Sequence, residues 1–314
     1  METVVFGRTG LKVTIAGLGC GGFSQLGLKK HGLDHAANIV KTAYDAGVNY
    51  FDTATIYGTQ GAVGKGLSGI KRDSYFISTK FPYNMKKPAE FMPTLEESLR
   101  ELKTDYIDVY LIHGVMPKDY AFVVETYVPL LKEAQKQGKI RFLGTSETFG
   151  NDTSHEMYKN TLKNDDYFDV AMIGYNLLNP SAAKSLFPLT LEKNIGVLDM
   201  FAVRTALSNP AQLLADISHI LEKGQADPSL AKKENPLDFL TEKGTAETIM
   251  EAAYRFCRHT KGVHVVLTGT GSREHLLTNL KSIQGPKLPD EVLERLENMF
   301  GRVDCVSGQP HMPM

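Results

Sequence analysis

One pattern dominates this chain: a short apolar run that ends in a side chain able to handle a proton. Val48-Asn49-Tyr50-Phe51 ends at Asp52, with Tyr57 and Gly58 in the loop beyond it. Tyr75-Phe76-Ile77-Ser78 leads into Lys80, and Ile107-Asp108-Val109-Tyr110-Leu111-Ile112 leads into His113. Runs of this length read as buried strands, and Gly58 lets the backbone turn. Three successive strands, each carrying a polar residue at its C-terminal end, predict a (β/α)8 barrel, the α/β fold whose site lies on that face.

The rest of the chain alternates strands and helices at the spacing of βα units. Barrel strands are expected at Ala16–Gly19, 48–52, 75–78, 107–112, Arg141–Gly144, Phe168–Ile173, Val197–Asp199 and Val263–Leu267. Ahead of them, Val4–Phe6 and Lys12–Ile15 flank Gly7-Arg8-Thr9-Gly10 and read as an N-terminal β-hairpin capping the barrel floor. Ala36, Ile39, Val40 and Ala43 share a helical face after Asp34, and Gly47 stops that helix. Leu95, Leu99 and Leu102 do the same after a first-turn Pro93, and another helix is expected to begin at Pro129 and end at Gly138.

One interval, Phe201 to Gly262 between the seventh and eighth strands, is too long for a simple link. It holds an amphipathic stretch, Ala211–Leu221, then a polar run, Gly224–Asp238. Such an excursion either covers a substrate or is a solvated insertion. The Gly- and Pro-containing tail, Gly301–Met314, is either frayed or folded over the mouth.

The 314 residues are expected to form a single barrel domain, and a hydrophobic content of 42% supplies its core. The formal net charge of -1 sets aside nucleic acid and acidic lipid as partners. Cys20, Cys257 and Cys305 form no CxxC pair, which argues against a disulfide framework or a zinc site. No signal core or membrane-length apolar run is present, so a cytoplasmic setting is expected.

Asp52, Tyr57, Lys80 and His113 make sense as one proton-handling unit. A free tyrosine, with a pKa of about 10, exchanges protons poorly at neutral pH. A lysine cation nearby favours the phenolate, and a carboxylate keeps that lysine charged and aimed. A histidine beside the phenol can orient or polarise a carbonyl oxygen. Asp108, earlier in the strand that ends at His113, is expected to face a buried polar contact instead.

Asn49–Ala54 with Tyr57-Gly58, then Ser78-Thr79-Lys80, then Asp105–Asp108 with Leu111-Ile112-His113, resemble the aldo-keto reductase superfamily. Gly138–Ser146 resembles its fifth-strand segment. The resemblance implies a barrel that binds a nicotinamide dinucleotide without a Rossmann domain. It also implies Tyr57 as general acid/base, Lys80 and Asp52 as its support, and His113 beside it. By the same resemblance Ser146 bonds the nicotinamide carboxamide. Glu147 and Met172 replace the usual asparagine and glutamine there. Met200 or Phe201 would pack on the nicotinamide, and Arg204 would reach the pyrophosphate. Gly269, Thr270, Gly271, Ser272, Arg273, His275 and Asn279 resemble the segment that binds the adenosine phosphate, where a helix N-terminus suits an anion. The resemblance makes NADP the expected cofactor, with Arg273 and His275 as candidates for its 2′-phosphate, and NAD the alternative.

Gly17-Leu18-Gly19-Cys20-Gly21-Gly22 also fits the dinucleotide fingerprint, but Gly27 and Gly32 interrupt the helix that the fingerprint requires. A loop lining the mouth, with Gly21 and Gly22 at the cofactor, is the better account. His31 and His35 read as solvated loop residues and not as a metal pair. Phe23, Phe81, Tyr83 and Phe149 are candidate pocket walls or ordinary packing. The function expected is an NAD(P)-dependent oxidoreductase acting on a small aldehyde, ketone or sugar carbonyl, or the corresponding alcohol. The alternatives are a nicotinamide-binding sensor with little turnover and a metal-dependent hydrolase using Asp52 and His113.

Overall fold

In the computed structural model, residues 1–232 and 235–309 are described. Lys233 and Glu234 of the polar run and Pro310–Met314 of the tail lie outside the described residues. An antiparallel hairpin, β1 (Thr3–Val5) and β2 (Lys12–Thr14), opens the chain. Eight parallel strands follow: β3 (Ala16–Gly19), β4 (Tyr50–Asp52), β5 (Phe76–Phe81), β6 (Ile107–Val115), β7 (Ile140–Glu147), β8 (Val170–Gly174), β9 (Gly196–Met200) and β10 (Val265–Thr268). β10 pairs with both β9 and β3, so the sheet closes on itself. The helices outside it are α1 (Leu28–Asp45), α2 (Gln60–Gly66), α3 (Phe91–Leu102), α4 (Tyr120–Lys136), α5 (Glu156–Thr161), α6 (Ala182–Ser185), α7 (Phe187–Glu192), α8 (Pro210–Glu222), α9 (Ile249–Arg258), α10 (Arg273–Ile283) and α11 (Asp290–Phe300).

Side chains alternate along each strand, so one set fills the barrel and the other meets the helices. Tyr50, Val109, Leu111, Val170, Met172, Leu198 and Val265 belong to the inner cluster. The hairpin closes the floor as expected. Phe6 is fully buried beside that inner cluster, with its ring 5.6 Å from Tyr50 and edge-on to it. Asp108 lies outside the barrel interior, fully buried between Arg72 (2.7 Å) and Arg141 (2.7 Å).

Several boundaries move. β5, β6 and β7 run past their expected ends, so Lys80, His113 and Ser146 sit within strands. α1 begins at Leu28, before Asp34, and Gly32 kinks it at φ +83°. α4 begins at Tyr120, not Pro129. Val123, Tyr127, Val128 and Leu131 form one buried face across the proline. Pro129 and Glu125 are both exposed, so the carbonyl that the proline leaves unpaired one turn earlier belongs to a solvent-facing residue.

The excursion is not the solvated insertion that was one of the two expectations. Leu213, Ile217 and Ile220 of α8 pack with Leu237 and Leu240, and with Leu288, Val292, Leu296 and Phe300 around α11. The result is a second apolar core beside the barrel. Val303 and Val306 of the tail are buried in it, so the tail up to Gln309 is folded and not frayed.

Candidate active site

β4 delivers Asp52 at its C-terminal end, and a single 3-10 turn (Thr55–Tyr57) closed by Gly58 at φ +71° presents Tyr57. Asp52 is in register with Ser78 on β5. Lys80 follows two residues later on the same face. The Lys80 ammonium is fully buried and gives three bonds: to Asp52 Oδ1 (2.8 Å), Asp52 Oδ2 (2.6 Å) and the Thr53 carbonyl (2.7 Å). Ser78 Oγ also donates to Asp52 Oδ1 at 2.6 Å. The ammonium sits 5.1 Å from the centroid of the Tyr57 ring. His113, two residues after the inward Leu111 on β6, comes to the same place, next to Gly114 at φ +64° and a register shift between Ile112 and Val115. Tyr57 Oη lies 3.2 Å from His113 Nε2, with the two rings edge-on. Gly21 completes the nest: a Cβ there would fall 2.5 Å from the Tyr57 ring.

The charges follow from burial and pairing. Burial pushes the Asp52 carboxyl up, and the Lys80 cation pulls it part of the way back. Burial works against the Lys80 cation, but Asp52, joined by Tyr57 and Cys20, holds the ammonium above its ordinary value. Burial raises the Tyr57 phenol more than Lys80 lowers it, so Tyr57 is a protonated donor at neutral pH. Lysine therefore acts in the expected direction without bringing the phenol below its free value. Burial, then Lys80, brings His113 down to about 3, which keeps the imidazole neutral. His113 Nδ1 is buried without a partner among the described residues.

The expected cofactor residues fall in two groups on adjoining strand ends. Ser146 Oγ accepts from the Gly114 amide (2.8 Å), leaving its own proton to give. Met200 is buried in the inner cluster. Phe201, at φ +79°, stacks on Phe149 (6.2 Å between centroids) and carries the Arg204 guanidinium 3.5 Å from its own centroid. Burial lowers Arg204 to about 10, still charged at neutral pH, and no carboxylate partners it among the described residues. Beyond β10, Thr270 Oγ1 accepts from the Ser272 amide, and Ser272 caps α10 by accepting from the His275 amide. Arg273 and His275 are exposed there, and Asn279 donates to Thr268 Oγ1 at 2.9 Å. Gly269 and Gly271 are small because the first loop crowds them: a Cβ would meet the Gly19 oxygen at 2.2 Å or the Gly27 amide at 2.7 Å. Gly22, at φ +71°, has open space around it. A hydroxyl with its proton to give, a half-buried cation without a carboxylate partner and a helix N-terminus fit an elongated anionic ligand.

Some expectations need correction. Glu147 does not face the mouth. It is buried against His155 Nδ1 (2.9 Å) and accepts from the Gly174 amide (2.7 Å). His35 is not a solvated loop residue, since its Nε2 lies 2.7 Å from the Gly271 carbonyl. Phe81 and Tyr83 are packed in the core, whereas Phe23 is 83% exposed. Ser78, Thr53 and His155 were not anticipated; only Ser78, two residues before Lys80, carried a signal. No cluster of three or more metal-ligating side chains occurs among the described residues.

Residues 17–299 match the aldo/keto reductase family. The chain belongs to this family. Over 109 residues it is 42% identical to methylglyoxal reductase DkgB of Salmonella typhi, a match that covers 34% of this chain and 40% of that protein. The chain thus aligns with less than half of that relative's length. Over 305 residues it is 24% identical to an uncharacterised oxidoreductase of Bacillus subtilis, covering 93% of this chain and 94% of that one. A holo aldo-keto reductase from Bacillus halodurans superposes with a TM-score of 0.72 at 22% identity, over 99% of this chain and 100% of that one. An aldo/keto reductase from Klebsiella pneumoniae, in complex with NADP and acetate, superposes with a TM-score of 0.69 at 21% identity, over 97% of each chain. At those identities the likeness establishes the shared barrel. No helix among the described residues of this family member is long and apolar enough to cross a membrane.

Proposed function

We propose that this aldo-keto reductase family member is an NAD(P)H-dependent oxidoreductase acting on a small aldehyde, ketone or sugar carbonyl, with Tyr57 as its general acid/base. The observation that carries the reading is Tyr57 Oη at 3.2 Å from a neutral His113, over a fully buried Lys80–Asp52 pair. When bound, the nicotinamide supplies or accepts the hydride. Tyr57 gives its phenolic proton to the carbonyl oxygen in reduction and takes it back in oxidation. The Lys80 cation stabilises the phenolate left behind, and Asp52 and Thr53 keep that cation aimed. His113 orients the reacting oxygen through Nε2 while remaining uncharged. Ser146, Arg204 and the N-terminus of α10 would hold the dinucleotide, with Arg273 on the 2′-phosphate of NADP. NADP is favoured by the exposed Arg273 and by the NADP named with the Klebsiella protein; NAD is the alternative. The methylglyoxal reductase name of a partial relative makes methylglyoxal the first carbonyl to try.

The test is calorimetric titration with NADPH and NADH, then turnover of methylglyoxal and a panel of aldehydes, ketones and sugars. Tyr57→Phe is expected to lower turnover by about 10²- to 10⁴-fold while dinucleotide binding survives. Undiminished turnover in that variant would remove Tyr57 from its role. Tight binding with negligible turnover of every carbonyl would favour the sensor reading.

A further inference from the structure

The C-terminal tail makes a set of contacts that its own anchoring does not require. Val303 and Val306 already fix it in the second core. Beyond them, Asn179 Nδ2 donates to the Val306 carbonyl (2.9 Å) and Asn176 Nδ2 to the Ser307 carbonyl (3.4 Å). The Ala206 amide donates to the Gly308 carbonyl at 3.0 Å. With its amide turned so that the oxygen faces the donors around it, Gln309 accepts from Arg204 Nε at 3.2 Å and from the Thr205 amide at 3.3 Å. Gly308 has φ +81°, and a Cβ there would lie 3.0 Å from Arg204 Cβ. The tail backbone therefore lies directly against the stem of Arg204.

These bonds go to the loops after β8 and β9, and together they hold Gly308 and Gln309 against one side chain, Arg204. Arg204 is long and rotamer-rich, and a guanidinium left to wander loses entropy whenever it binds an anion. Here the stem is pressed by Gly308, Nε is held by Gln309, and the guanidinium lies on Phe201. Its outer nitrogens are left without a carboxylate. Arg8, Arg72, Arg141, Arg255 and Arg258, by contrast, all form ion pairs with carboxylates.

We propose that residues 306–309 are a positioning strap for Arg204, holding its guanidinium on Phe201 in readiness for the phosphates of the dinucleotide. The inference rests on the proposed function, because it takes that ligand as the anion. The strap does not touch the ligand. It acts through Arg204, and it ties cofactor affinity to the second core from which the tail emerges.

A double-mutant cycle tests it, with NADPH binding measured by calorimetry on the full chain, on a chain ending at Val306, on Arg204→Met, and on the two changes together. Both core valines remain in the shortened chain. Gly308→Ala in the full-length chain is the second variant, should shortening impair folding. Arg204→Met is expected to weaken NADPH binding about tenfold, the scale of one charge-assisted contact. Shortening or Gly308→Ala should cost several-fold, and shortening on top of Arg204→Met should add less than about twofold. A merely structural tail would lower the melting temperature, and its loss would multiply with that of Arg204→Met. Full multiplication, or unchanged affinity in both tail variants, overturns the strap. If NADPH binds the full chain but Arg204→Met has no effect, Arg204 is not at the phosphates and the strap falls with it. If neither NADPH nor NADH binds the full chain, the failure lies in the proposed function itself.

Discussion

Lys80→Met is the most informative single change, because its cost depends on pH in a calculable direction. The ammonium is fully buried and has three acceptors at 2.6–2.8 Å. Removing one partner of a buried ion pair costs about 3–5 kcal/mol. For a chain of this length, with an unfolding entropy of about 2.1 cal/mol/K per residue, that is a fall in Tm of about 5–8 °C. The variant leaves Asp52 with the burial that raises its pKa and without the cation that lowers it. A carboxyl whose folded pKa is raised contributes stability below its unfolded value, and that contribution is lost as pH rises through the folded value. The Lys80 pKa of the parent is raised, so its own contribution holds through pH 8. The Tm difference between variant and parent should therefore be larger at pH 8 than at pH 5, measured by calorimetry in matched salt. Adding Asp52→Asn to Lys80→Met removes the stranded carboxylate and should recover part of the loss at pH 8. Equal losses at both pH values, together with strict additivity of the two changes, would refute the account of Asp52 as a carboxylate held charged by Lys80.

Other consequences can be checked in the same preparations. Gly21→Ala would place a methyl 2.5 Å from the Tyr57 ring, so turnover should fall at least tenfold while far-ultraviolet circular dichroism is unchanged. His113, held down to about 3, should contribute no ionisation to the pH–rate profile between pH 5 and 8. A limb near pH 6.5 that disappears in His113→Asn would contradict this. Ile220→Ala, at the centre of the second core, should cost about 2–5 kcal/mol in denaturant unfolding. A loss of a few tenths would mean that the excursion does not share in the global stability.

What the sequence made legible was whatever strand geometry alone controls. Asp52, Lys80 and His113 each lie at or near the C-terminal end of a buried run, and period-two alternation turns all three inward. The hairpin floor was legible for the same reason, from two β-prone runs around a Gly-rich turn. What was hidden depended on partners distant in sequence. Glu147 read as a changed cofactor contact because nothing adjacent announces His155, which arrives through a left-handed turn at φ +62°. The apolar face of α8 was visible, but its partner α11 begins 68 residues after α8 ends. Pro129 misled because it sits on the exposed side of α4, where the apolar face of Val123, Tyr127, Val128 and Leu131 carries the helix across it. The tail stayed undecided because its anchors, Asn176, Asn179 and Arg204, lie more than a hundred residues upstream.

The floor closed by Phe6 has a mechanical meaning. Phe6 seals one end of the barrel, and Tyr50, Val109, Leu111 and Leu198 fill its middle. The interior is a plug and not a pore, so any molecule that meets Tyr57 arrives and departs by the mouth at the C-terminal ends of the strands. Changes in the mouth loops would alter that traffic, whereas a change at Phe6 would loosen only the plug beneath it.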